Sequence, residues 1–179
     1  MGPPKILVVE DSALIGHKLR VKLQEMGYEV LGPAVSGESA IRFAAEFRPD
    51  LILMDVILKG PMDGVQAAGT ISKRYDIPIV YLTGIEDEET LKRVETSAPY
   101  GYISKPFNWR VLKTSVEAAL NRSRIEIKGR KQAVEALRKS EAELQLLSES
   151  LLTIQEQERE RISHELHDSV GQMLTFAKM

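Results

Sequence analysis

Five side chains stand where the sequence turns from apolar to polar. Glu10 and Asp11 follow Ile-Leu-Val-Val, Asp55 follows Leu-Ile-Leu-Met, Thr83 follows Ile-Val-Tyr-Leu, and Lys105 follows Tyr-Ile-Ser. Taken singly, each is the ordinary polar residue that loops carry. Taken together, in consistent order after apolar runs, they make a site. Three crowded carboxylates repel one another unless a divalent cation neutralises them, and Mg²⁺ suits oxygen ligands with room left for phosphate and water. A carboxylate beside that cation can attack phosphorus and form an acyl phosphate. Thr83 could donate its hydroxyl to one phosphoryl oxygen, and Lys105 would bring a compact positive charge to another.

A second group lies near the C-terminus. Ile162, Leu166, Val170 and Met173 are spaced as one helical stripe, with His167 just off its edge. Asp168 adjoins that histidine and His164 lies one turn earlier. A neutral imidazole is a competent nucleophile towards phosphorus, and a neighbouring carboxylate can orient it and stabilise the charge that develops. A lone helical histidine is more often a plain surface residue. A zinc site is a poorer reading, because the two histidines are three apart, lack a clear third ligand and do not form HExxH.

The elements that must position these groups alternate. Short β-branched runs at 6–9, 28–35, 51–54, 79–82 and 100–104 read as strands. Amphipathic stretches at 12–26, 39–47, about 64–75, 88–96 and from 108 read as helices, with Ser12 and Gly27 as caps of the first. The fold class is therefore α/β, with a five-stranded, doubly wound parallel sheet. Ligands bind beyond the carboxyl ends of such strands, which is where the five side chains fall. From residue 122 proline is absent and the pattern changes. Leu137, Leu144 and Leu151 recur by sevens with Leu147 and Ile154 between them, the a and d positions of a long α-helical coiled coil. Ile154 to Ile162 is eight residues, so the seam changes phase across 155–161.

Composition limits the partners. Across 179 residues, 24 basic and 26 acidic side chains nearly cancel, and those of the tail balance as well, so neither nucleic acid nor an anionic membrane is expected. There are no cysteines, which excludes disulfides, thiolate metal sites and cysteine nucleophiles. The apolar start is too short for a signal peptide or a membrane span, and a cytoplasmic protein is expected.

Through KILVVEDS, LILMDV, PMDG, PIVYLTG and GYISKPF, residues 5–121 resemble the receiver domain of two-component response regulators. The resemblance implies a flavodoxin-like fold with Asp55 as phosphoacceptor. Glu10 and Asp11 would hold Mg²⁺ with Asp55, and Ile57 would add its backbone carbonyl to the metal. Thr83 and Tyr102 would be the switch pair, Lys105 would contact the phosphoryl group, and the Lys105–Pro106 bond would be cis. Two positions depart from the common pattern: Glu10 stands where many receivers have Asp, and Gly84 where a small alanine is common. Neither removes an essential group, and Gly84 leaves space beside the phosphate.

ERERISHELHDSVGQ, from residue 158, resembles the dimerisation and phosphotransfer helix of the histidine kinases typified by nitrate sensors. By that resemblance His167 is phosphorylated, Asp168 is its base-like partner, and Gln172 positions water for dephosphorylating a partner receiver. No Gly-rich nucleotide loop occurs. The second helix of the hairpin and the ATP-binding kinase domain do not precede Met179, so this chain is expected to be part of a hybrid histidine kinase that does not itself transfer from ATP. The organisation reads as a receiver over 1–121, a coiled-coil signalling helix over 122–157, and the N-terminal part of the phosphotransfer helix over 158–179.

An unbroken helix from Asn121 to His167 would span 46 residues, roughly 70 Å at 1.5 Å per residue, against about 30 Å for a receiver. Direct transfer from Asp55 to His167 along one straight chain is therefore disfavoured, although a bend at Gly129 would change the geometry. The simpler expectation is a parallel homodimer in which Asp55 gates His167, the phase change being the two-state element. A cognate histidine kinase or response regulator would be the partner. The alternative is a response regulator with a helical dimerisation or RNA-binding tail. The neutral tail argues against RNA, and the HELHD string against a mere stalk.

Overall fold

The apolar runs are strands in the computed structural model, which describes residues 2–84, 92 and 99–176, with side chains up to residue 163 apart from 152. They are β1 (Lys5–Val9), β2 (Glu29–Ala34), β3 (Leu51–Asp55), β4 (Ile79–Thr83) and β5 (Gly101–Ser104). All pair in parallel, in the order β2-β1-β3-β4-β5. Alternate residues point to opposite faces, and both faces are covered. Ile6, Val8, Leu51 and Leu53 pack into one core, while Leu7, Val9, Ile52 and Met54 pack into the other. All eight are fully buried. Each such side chain contributes about 1.5–3 kcal/mol, so a one-residue slip of a central strand would exchange every partner at once. The observed register sets Val9 opposite Met54 and Asp55 opposite Leu82. The residues that follow β1 thus come level with the end of β3.

The helices are α1 (Ala13–Glu25), α2 (Gly37–Phe47), α3 (Gly64–Ser72) and α4 (Trp109–Phe176). The fourth helix expected at 88–96 lies, but for residue 92, outside the described residues. Ser12 occupies the N-cap of α1 without a side-chain capping bond. The end of α1 is closed by Gly27 at φ 89°, with Gly27 N–H donating to Gln24 and Tyr28 N–H to Leu23, the Schellman arrangement that favours glycine. α2 begins ahead of the expected residue 39 because Ser36 and Ser39 form a capping box. α3 ends at Ser72, short of residue 75, after a start fixed by a box of Asp63 with Gln66.

The chain divides into two units, Met1–Ile127 and Lys128–Met179. In the first, Leu112, Val116, Ala119 and Leu120 of α4 close one face of the sheet. In the second, helix hydrogen bonding continues through Gly129. There Leu137, Leu144, Leu147, Leu151 and Ile154 are each more than half exposed, an apolar stripe that this single chain does not cover.

Candidate functional site

The two halves of the sheet are wound in opposite directions from β1 and β3, which places a crevice at their carboxyl ends. Glu10 leaves β1 into this crevice and is 1% exposed, while Asp55 ends β3 and is 6% exposed. Asp11 is partly exposed beside them. One carboxylate oxygen from each of Glu10, Asp11 and Asp55 falls within 4.8 Å of the others. Lys105 enters from the loop after β5, its Nζ donating to Glu10 Oε2 at 2.6 Å and to Asp55 Oδ2 at 2.7 Å. Thr83 ends β4, is 8% exposed, and its carbonyl accepts from Lys105 N–H at 2.6 Å. The peptide bond between Lys105 and Pro106 is cis, as the resemblance implies; Gly32–Pro33 is a second cis bond.

Burial pushes the Glu10 carboxyl above the usual carboxylate range; the Lys105 hydrogen bond opposes that rise and the nearby Asp55 charge adds to it. For Lys105, burial is the largest single influence and disfavours its charge. The hydrogen bonds to Asp55 and Glu10, with the negative charge of both carboxylates, together outweigh burial, and its pKa is raised. The pocket therefore holds its ammonium firmly charged against carboxylates that crowd one another. All its acidic donors are hard oxygens close enough to share one ion, a set that fits a divalent cation of the Mg²⁺ or Ca²⁺ type.

Ile57 has an exposed side chain, but its N–H donates to Asp55 Oδ1 at 3.2 Å, which brings its backbone against the carboxylate. Tyr102 stands on β5 at 64% exposure. His167, Asp168 and Gln172 are helical residues of α4, and their side chains lie outside the described residues. Two contributors were not legible as site residues. Gly64 lets α3 start against β3, since a Cβ there would stand 1.8 Å from the Asp55 carbonyl oxygen. Lys59 sets its Nζ 3.3 Å from Asp11 Oδ2; in the sequence it was one more polar residue of a Gly/Pro loop.

The family described as response regulator receiver domain matches residues 6–117 of this chain. The chain belongs to the response regulator receiver family. A second family, described as histidine kinase, matches residues 158–179, so a receiver and a histidine-kinase segment, both parts of two-component signalling, share one polypeptide. The transcriptional regulatory protein PdtaR of Mycobacterium tuberculosis is 37% identical over 123 residues, 68% of this chain and 59% of that protein. This chain thus spans under two-thirds of that curated relative. The receiver domain of a modulated diguanylate cyclase from Desulfovibrio desulfuricans is 38% identical with a TM-score of 0.67, covering 69% of this chain and 98% of that one. The receiver domain of a histidine kinase from Syntrophus aciditrophicus is 31% identical with a TM-score of 0.61, covering 66% and 90%. Among the described residues, no helix is long and apolar enough to cross a membrane.

Proposed function

We propose that the receiver accepts a phosphoryl group on Asp55 and that its modified state sets the activity of His167 through a parallel pair of α4 helices. The observation that carries this reading is the Lys105 ammonium shared by two buried carboxylates, Glu10 and Asp55, with Asp11 beside them. Glu10, Asp11, Asp55 and the Ile57 carbonyl would hold Mg²⁺, which when bound draws negative charge off the phosphoryl oxygens.

An Asp55 carboxylate oxygen attacks the phosphorus of a phosphorylated donor. The new O–P bond forms as the donor's bond to phosphorus breaks, and the donor leaves with that electron pair. The product is a mixed anhydride. Lys105, kept in place by Glu10, offers its charge to one phosphoryl oxygen, and the Thr83 hydroxyl donates to another. Tyr102, exposed on β5, is the switch partner whose packing would change once the Thr83 hydroxyl turns to the phosphoryl group.

In the second unit the exposed a and d side chains of α4 would pair with a second copy of the chain. His167 would be the nucleophile that receives phosphoryl from a kinase domain, with Asp168 orienting its ring and Gln172 placing a water on a partner's aspartyl phosphate. A cytoplasmic setting, with a cognate kinase or regulator as partner, follows from that reading.

Mass spectrometry after treatment with a small acyl-phosphate donor and Mg²⁺ tests the first half. One phosphoryl group on Asp55, lost in Asp55→Asn, is expected, and an unmodified Asp55 overturns it. Incubation with a separate kinase catalytic domain and ATP tests the second half. Label on His167 is expected, and its absence would favour a plain dimerisation stalk.

A further inference from the structure

Two ammonium groups serve the three carboxylates of the acidic pocket. Lys105 takes Glu10 and Asp55 at 2.6 and 2.7 Å, and Lys59 takes Asp11 at 3.3 Å. We propose that Lys59 is a built-in counter-ion which an incoming divalent cation must displace from Asp11, so that Lys59 sets the metal affinity of the pocket. The inference rests on the reading that this pocket holds Mg²⁺.

Charge balance requires one lysine to give way. Three carboxylates and two ammoniums sum to one negative charge, and a divalent cation added to both lysines would reverse it. Expelling one lysine leaves the site neutral. The structure selects which one goes. The Lys105 side chain is 20% exposed and makes two short hydrogen bonds, whereas Lys59 is 85% exposed and makes one longer contact. An exposed ammonium regains its hydration as it leaves, so its displacement costs little. Nor does its departure disturb the acceptor. The backbone ahead of Lys59 is held by the Ile57 N–H on Asp55, and the chain turns away at Gly60, where φ is 118°. The stem can swing while Asp55 stays in place.

Calorimetric titration of Mg²⁺ into the full chain tests this without any phosphoryl transfer. Lys59→Met should bind Mg²⁺ about two- to fivefold more tightly, the scale of losing one exposed ion pair as competitor. Lys59→Arg should bind as the unaltered chain does. Lys22→Met controls for net charge, because Lys22 pairs with Glu25 in the last turn of α1, the end away from Asp11; it should leave the affinity unchanged. Equal or weaker binding by Lys59→Met overturns the proposal, as does equal tightening by Lys22→Met. Failure of every protein to bind Mg²⁺ overturns the metal reading and this inference with it.

Discussion

The phenol of Tyr100, just ahead of β5, donates a hydrogen bond to the Glu126 carboxylate on α4. Arg122 reinforces the contact, pairing with Glu126 at 2.8 Å and standing 5.0 Å from the Tyr100 ring centre. Ser123, between them on α4, is buried. The first unit therefore keeps hold of α4 as far as Ile127. Burial, then the bonded Glu126, raises the Tyr100 pKa above its ordinary 10.0. A raised folded-state pKa means that the folded chain keeps the proton longer than the unfolded chain. The associated stability is complete below about pH 10 and is lost as pH rises through the folded value. Tyr28 is raised as well, by burial first and then by Glu117. Tyr100→Phe should cost about 1 kcal/mol at neutral pH and make the alkaline loss of stability shallower. Urea unfolding at several alkaline pH values reads both effects.

Lys105→Met should destabilise the chain by about 3 kcal/mol at neutral pH, since it strands the buried Glu10 carboxylate beside Asp55. The loss should shrink as pH falls, because a protonated Glu10 needs no ammonium. Adding Glu10→Gln should recover most of the stability but none of the phosphoryl transfer. Denaturant melts of the single and double variants check this.

Two glycines should respond in opposite directions. Gly64→Ala drives a methyl group to 1.8 Å from the Asp55 carbonyl oxygen. It should cost about 2 kcal/mol or more and lower phosphoryl acceptance, because the backbone of the acceptor itself must move. Gly129, inside α4, has nothing within 4 Å of an added Cβ. Gly129→Ala should raise helix stability by about 1 kcal/mol, read as a gain in helical circular dichroism on heating.

Leu144 is 64% exposed and lies on the heptad stripe. Leu144→Asp should convert a dimer into a monomer in sedimentation while leaving phosphorylation of Asp55 unchanged. A chain that sediments as a monomer before the substitution would remove the paired-helix reading.

The strands were legible because a parallel sheet buries both faces, and sequences such as Leu-Ile-Leu-Met satisfy no other setting so well. The carboxylate cluster followed from where those strands end. Lys59 was hidden because its partner Asp11 is brought near only by the turn after β3, and no local pattern announces a contact between residues so far apart. Gly64 was hidden for a related reason. Its role is to leave out a side chain, and an omission becomes meaningful only when the opposing carbonyl is seen. The start of α2 depended on side chains bonding to backbone at Ser36 and Ser39, which periodicity does not register.

The close approach at Gly64 also makes the segment between β3 and α3 a detour. Its two ends are joined directly, with Gly64 N–H donating to the Val56 carbonyl at 3.0 Å. Closing such a loop grows more costly only slowly with its length. Residues inserted after Gly60 would lengthen the detour and leave the gateway shut. The segment is therefore a docking port for engineering: a reporter or a recognition peptide could be carried on the loop that follows the acceptor, while the acceptor keeps its place.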